Sequence, residues 1–84
     1  MSIEIKINKW NDINVIIEDR TGNISFSNEF IQRGPFFKPL ENFDFFKEAF
    51  VNIQDDLIEW PNGFGISIME LYDALEFSSE IEIR

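Results

Sequence analysis

The sequence predicts an α+β domain, an antiparallel sheet of about five short strands covered by two helices, and three observations lead there. Ile3-Glu4-Ile5-Lys6-Ile7 alternates apolar and charged residues with the period of a strand that has one face in a core. Between Leu57 and Tyr72 three local signals follow without a gap: an alternating strand stops at Trp60, Pro61-Asn62-Gly63 supplies a turn, and Ser67 opens a helix. Ten Phe, two Trp and one Tyr in 84 residues, with no Cys, make a core that holds by packing and not by disulfides. A single domain over 1–84 accommodates all of this, since no repeat, low-complexity tract or linker interrupts the chain.

Taken in order, the first strand is Ile3–Ile7, and Asn8 to Asn14, rich in Asn and Asp, reads as a connecting loop. Trp10 within it is a cap over the end of the core or an exposed anchor for a partner. Val15–Glu18 and Asn23–Phe26 read as a hairpin, with Asp19-Arg20-Thr21-Gly22 as a four-residue connection and Gly22 in the left-handed region. Ser27 can cap one helical turn that Arg33-Gly34-Pro35 ends, and the apolar Phe36-Phe37-Lys38-Pro39-Leu40 is a loop lying against the core. Asn42 caps a helix from Phe43 to about Ala49, with Phe43, Phe46 and Phe50 along one stripe of core.

Phe50–Ile53 and Leu57–Trp60 form a second hairpin around Gln54-Asp55-Asp56. Ser67 and Glu70 make a capping box, with Ile66 and Leu71 as its staple. The helix they open buries Ile68, Leu71, Tyr72 and Leu75 and turns Glu70, Asp73 and Glu76 outward. Trp60 and Tyr72 pack against each other across the turn. The tail from Ser79 to Arg84 alternates again, as an edge strand or a frayed end.

Sixteen acidic against seven basic side chains give a net charge of −9, which repels phosphate backbones and anionic membranes. Neither direct nucleic-acid binding nor membrane binding is expected. The first residues lack the basic and apolar regions of a signal peptide and no apolar run reaches membrane-spanning length, so a cytoplasmic protein is the expectation.

Trp60-Pro61-Asn62-Gly63 at a strand end, followed by a capped helix carrying Leu71-Tyr72, resembles the domain-of-unknown-function family twenty-four forty-two of small bacterial domains. Val15 to Phe26 looks like that family's hairpin, Gly34-Pro35-Phe36-Phe37 with Leu40 like its Gly-rich approach to a Phe, and Phe46 to Val51 like its helix and next strand. The resemblance brings no established catalysis with it, and it points toward partner binding of a regulatory or antitoxin-like kind, since members sit beside small toxin-like genes or are fused to a helix-turn-helix domain. The family often has Asp where this chain has Ser25 and Gly65, so a polar site built on those carboxylates would be absent here.

The residues themselves supply little chemistry. With no His there is no imidazole base or ligand, the serines have nothing to activate them, and no Cys can act as nucleophile or thiolate ligand. Asp55-Asp56 and Glu18-Asp19 sit in turns as solvated carboxylates, without the ligand spacing of a calcium loop. Gly63-Phe64-Gly65 lacks the basic residue that phosphate cradling needs. The expectation is a protein that is not an enzyme and has neither cofactor nor metal.

Two readings follow, both of binding. In the first, the chain recognises a small protein, toxin-like or a second copy of itself, through exposed aromatics or a strand edge, with Trp10 and Tyr72 as anchors. In the second, Asp73, Glu76, Glu80 and Glu82 imitate nucleic-acid phosphates and cover the cationic groove of a nuclease or another basic nucleic-acid-binding or defence protein.

Overall fold

A computed structural model describes residues 2–84. The α+β class is as expected, but the strands form two sheets. The first has the order β1 (Ile3–Lys9), β2 (Asp12–Ile17), β3 (Arg20–Phe26), β7 (Glu80–Ile83), and the second is a meander of β4 (Phe50–Asn52), β5 (Leu57–Glu59) and β6 (Gly65–Ser67). Three helices, α1 (Asn28–Ile31), α2 (Phe43–Phe46) and α3 (Ile68–Leu75), and a 3-10 turn over Lys38–Glu41 complete the described chain. None of these helices is long and apolar enough to cross a membrane.

The larger strand count has a physical cause at each place. Asn8 to Asn14 is not a loop: Ile7 pairs with Ile13 and Lys6 with Asn14, so the polar residues fall on the solvent side of a sheet whose odd positions in β2 are buried. A bulge between Ile7 and Lys9 leaves Trp10-Asn11 as the whole turn, with Asn11 at φ 59°. The β2–β3 reversal is equally tight, at Glu18-Asp19 with Glu18 at φ 57°, so Gly22 is a strand residue and not a left-handed turn residue. Gly65-Ile66-Ser67, expected only as a lead into the helix, forms β6 because Ile66 pairs with Ile58 on the buried side.

Around Trp60 the turn is as the sequence predicts. The Trp60 N–H donates to the Phe64 carbonyl at 2.8 Å, the Gly63 N–H donates to Trp60 O at 2.9 Å, and Gly63 takes φ 92°. Ser67 Oγ accepts from the Glu70 N–H at 3.3 Å and starts α3. Asn42 caps α2 through Oδ1, but that helix closes after one turn, and the predicted Phe43–Phe46–Phe50 stripe reduces to a buried Phe46. Phe50 opens β4 and stays exposed.

The inner face of the first sheet, the second sheet and the helices enclose one core in which Phe26 contacts Phe30, Phe46, Trp60 and Phe64 through ring pairs 5.4–6.2 Å apart. Trp60 stacks on Phe64 at 5.3 Å, and its Nε1–H donates to Phe46 O at 3.0 Å. Tyr72 is not its partner: the Arg20 guanidinium lies 3.8 Å from the Tyr72 ring centroid, and its Nη1 donates to the Tyr72 carbonyl at 2.7 Å. The C-terminal segment is an ordered edge strand parallel to β3, with Asn23 opposite Glu80 and Phe26 opposite Ile83.

Candidate binding surfaces

Strand alternation sorts the side chains of the four-stranded sheet. Ile13, Val15, Ile17, Ile24, Ile81 and Ile83 point to the core, so Asp12, Asn14, Asn23, Ser25, Glu80 and Glu82 share the outer face. A depression of about 400 Å³ lies on this face, lined by Trp10, Asp12, Asn23, Ser25 and Glu80 with Lys9 beside them. Trp10 caps the end of the core and stays partly open to solvent. Its Nε1–H donates to the Leu40 carbonyl at 2.8 Å, which ties it to the core, yet the residue remains 41% exposed.

Its neighbour Asn11 explains how the turn is held. The pairing of β2 with β3 would bring residue 11 opposite Phe26, but the left-handed backbone turns its own peptide groups away. The side-chain amide takes their place: Oδ1 accepts from Phe26 N–H at 2.7 Å and Nδ2 donates to Phe26 O at 2.9 Å. Asn11→Gly keeps the backbone geometry and removes both bonds. It is expected to lower stability by about 1–2 kcal/mol, measured by urea unfolding, and to broaden the amide signals of Trp10 and Phe26.

The residues singled out from sequence separate into two groups. Trp10, Glu80 and Glu82 belong to the sheet's outer face and its turn. Tyr72, Asp73 and Glu76 lie on α3, which covers the opposite side, as the buried contact of Leu75 with Gly22 requires. Tyr72 is partly buried under Arg20, whereas Asp73 and Glu76 are exposed. Met69 and Phe77, neither picked out by sequence reasoning, flank those carboxylates, and Phe77 is 85% exposed. Helical phase could have found Met69, since at 100° per residue Met69, Asp73 and Glu76 fall within one arc opposite Leu71, whereas Phe77 lies past the end of α3, where that periodicity stops.

Charge is unevenly compensated over these surfaces. The ion pairs among the described residues are Lys9–Asp12, Lys38–Glu41, Lys47–Asp44 and Arg84–Glu82, at 4.0, 3.4, 3.4 and 2.8 Å. Asp73, Glu76 and Glu80 take part in none of them. No basic residue lies in the last turn of α3, where Asp73 and Glu76 meet the negative end of the helix dipole. The cation that reaches that end, Arg20, comes from β3 and binds the Tyr72 carbonyl.

A strand edge was the other surface expected to bind. Asn23 N–H donates to Ser79 O and Ser27 N–H to Ile83 O, so the backbone groups of Glu80 face away from β3. Ser78 Oγ meets both, accepting from Glu80 N–H at 3.1 Å and donating to Glu80 O at 2.8 Å. That end of the outer edge is therefore already satisfied, one of the ways an edge strand is kept from pairing.

Among the described residues no three acidic side chains are grouped so as to hold a metal ion. No family model, no curated protein and no solved structure matches the chain.

Proposed function

We propose that this protein is a non-enzymatic protein-binding module of a regulatory or antitoxin-like kind, acting in the cytoplasm by docking on a basic surface of a small protein partner. One observation carries the reading: α3 ends in two exposed carboxylates, Asp73 and Glu76, with no basic residue in its last turn. Carboxylates at a helix C-terminus weaken the helix by about 0.3–1 kcal/mol each. Solubility alone would be served as well by carboxylates placed elsewhere, so their position favours a partner whose cations complement them. Exposed Met69 and Phe77 on either side supply the apolar contact that a protein interface needs and a phosphate-mimicking surface does not.

The resemblance to domain-of-unknown-function family twenty-four forty-two points the same way, toward a partner that is itself a small protein. A second copy of this chain is the poorer occupant, because each copy brings a charge of −9. The alternative reading, an acidic inhibitor that imitates nucleic acid, would draw on the same carboxylates but without need of Phe77.

The reading is tested by identifying what co-purifies with the tagged protein from its native host, purifying it, and measuring the affinity of the pair across salt concentrations. A loss of tenfold or more between about 50 and 300 mM salt is expected for a charge-complementary contact. The further loss of about 2 kcal/mol on Phe77→Ala marks a protein interface with a hot spot. Affinity lost with salt but indifferent to Phe77→Ala favours the nucleic-acid mimic, and affinity indifferent to both overturns the proposal.

A further inference from the structure

The two edges of the four-stranded sheet are finished differently. At β7 the Ser78 hydroxyl closes off Glu80, whereas β1 runs for seven residues along the opposite edge without a proline. One bond sets the hydrogen-bonding phase of β1. Glu18 N–H donates to Ser2 O at 2.8 Å, so by antiparallel alternation Glu4 and Lys6 turn their backbone groups toward Ile16 and Asn14 of β2. The N–H and C=O groups of Ile3, Ile5 and Ile7 therefore point out of the sheet edge. Strand β4 comes near β1 but pairs only with β5. It leaves Ile3, Ile5 and Ile7 partly exposed, where Ile13, Val15 and Ile17 beside them are at 0%.

We propose that β1 is an interface between two copies of this chain, joined edge to edge by antiparallel pairing centred on Ile5. A two-fold axis through Ile5, perpendicular to the sheet, sets Ile3 of each copy opposite Ile7 of the other. The outward backbone groups of Ile3, Ile5 and Ile7 then bond to one another, and one continuous sheet crosses both copies.

Charge selects this register. Glu4 and Lys6 are exposed on the outer face and take part in none of the ion pairs among the described residues. With Ile5 on the axis, Glu4 of each copy stands directly opposite Lys6 of the other, in the closer, non-hydrogen-bonded kind of pair. Sliding by two residues sets Glu4 against Glu4 or Lys6 against Lys6, and sliding by one sets isoleucines against charged residues. The bulge after Ile7 ends the regular stretch at the point where this pairing ends.

The net charge of −9 makes a second copy a poor occupant of the acidic α3, but β1 is remote from those carboxylates. Glu80 and Glu82 lie three strand spacings, roughly 14 Å, from β1, beyond the Debye length of about 8 Å at physiological salt. Helix α3 packs on β3, β6 and β7. The axis keeps both inner faces on the same side, so the pair displays two α3 helices together, whatever α3 itself binds.

Analytical ultracentrifugation of the full chain at physiological salt tests the interface. An edge contact of this length is smaller than a standard interface, so a reversible dimer with Kd between about 10 μM and 1 mM is expected. Across that range the amides of Ile3, Ile5 and Ile7 should slow together in hydrogen exchange, while those of Glu4 and Lys6, already bonded to β2, change less. Lys6→Glu and Glu4→Lys, both at exposed positions and checked for folding by circular dichroism, should each weaken self-association by about fivefold or more. Glu4→Lys is the sharper of the two, because it lowers the net negative charge and would tighten any association limited by general repulsion. An equimolar mixture of the two variants restores opposite charges across the axis and should associate about as tightly as the parent. A monomer throughout the range, a dimer in which Ile3, Ile5 and Ile7 exchange as they do in the monomer, or a mixture no tighter than its separate variants would overturn the interface.

Discussion

Trp60→Ala is expected to destabilise the protein by about 3–5 kcal/mol, the range for deleting a large aromatic from a packed core. A domain of 84 residues has a total stability of about 4–13 kcal/mol, so this one substitution removes from about a quarter to all of it. Two losses combine at the site. The indole is fully buried and fills the space between Phe26, Phe46 and Phe64, linking the two sheets through side chains alone. Its Nε1–H also satisfies the Phe46 carbonyl where α2 ends. Trp60→Phe separates these, since it retains most of the apolar volume and leaves that carbonyl without its donor, a penalty of about 1–3 kcal/mol. Urea unfolding followed by far-UV circular dichroism measures both. A Trp60→Ala variant within about 1 kcal/mol of the parent would contradict the packing described.

Gly22→Ala is expected to cost about 1–3 kcal/mol or more, although it adds a single methyl group. A Cβ at Gly22 would lie 2.4 Å from Leu75 Cδ2 and 2.6 Å from Ser79 O. Leu75 can move by changing rotamer, but Ser79 O is backbone and accepts the Asn23 N–H bond that begins the pairing of β7 with β3. The collision therefore acts on the C-terminal strand first. Hydrogen exchange should show faster amide exchange in Glu80–Ile83 and in Asn23–Phe26, with β1, β2 and the second sheet slowed or unchanged relative to them. Uniform loss of protection across all strands would argue against this local account.

What was legible in the sequence is whatever rests on near neighbours in the chain. The turn at Pro61-Asn62-Gly63, the caps at Ser27, Asn42 and Ser67, and the two faces of α3 all depend on residues within one turn of each other, and all are present. The errors arise where a distant partner decides. The polar stretch Asn8 to Asn14 resembles a loop until it is known to pair within a sheet whose inner face alone is covered by the core, and Gly22 resembles a turn residue until Leu75 and Ser79 are known to press on it.

The candidate surfaces were legible in part for the same reason. The outward carboxylates of α3 follow from helical phase, but that Trp10 and Glu80 border one depression depends on β7 joining β3 across some fifty-five residues of intervening chain, roughly the kind of nonlocal pairing that sequence pattern does not encode. Trp60 and Tyr72 were paired on proximity in sequence, and the core chose Phe64 for one and Arg20 for the other.

The docking role of α3 is tested most directly by one double variant, Asp73→Asn with Glu76→Gln, followed by thermal unfolding and by affinity for the co-purifying protein. With the helix dipole no longer opposed, stability should rise by about 0.3–1 kcal/mol per substitution, while affinity for the partner falls tenfold or more. Unchanged affinity beside that gain in stability would contradict the claim, because the two carboxylates would then weaken the helix and serve no contact.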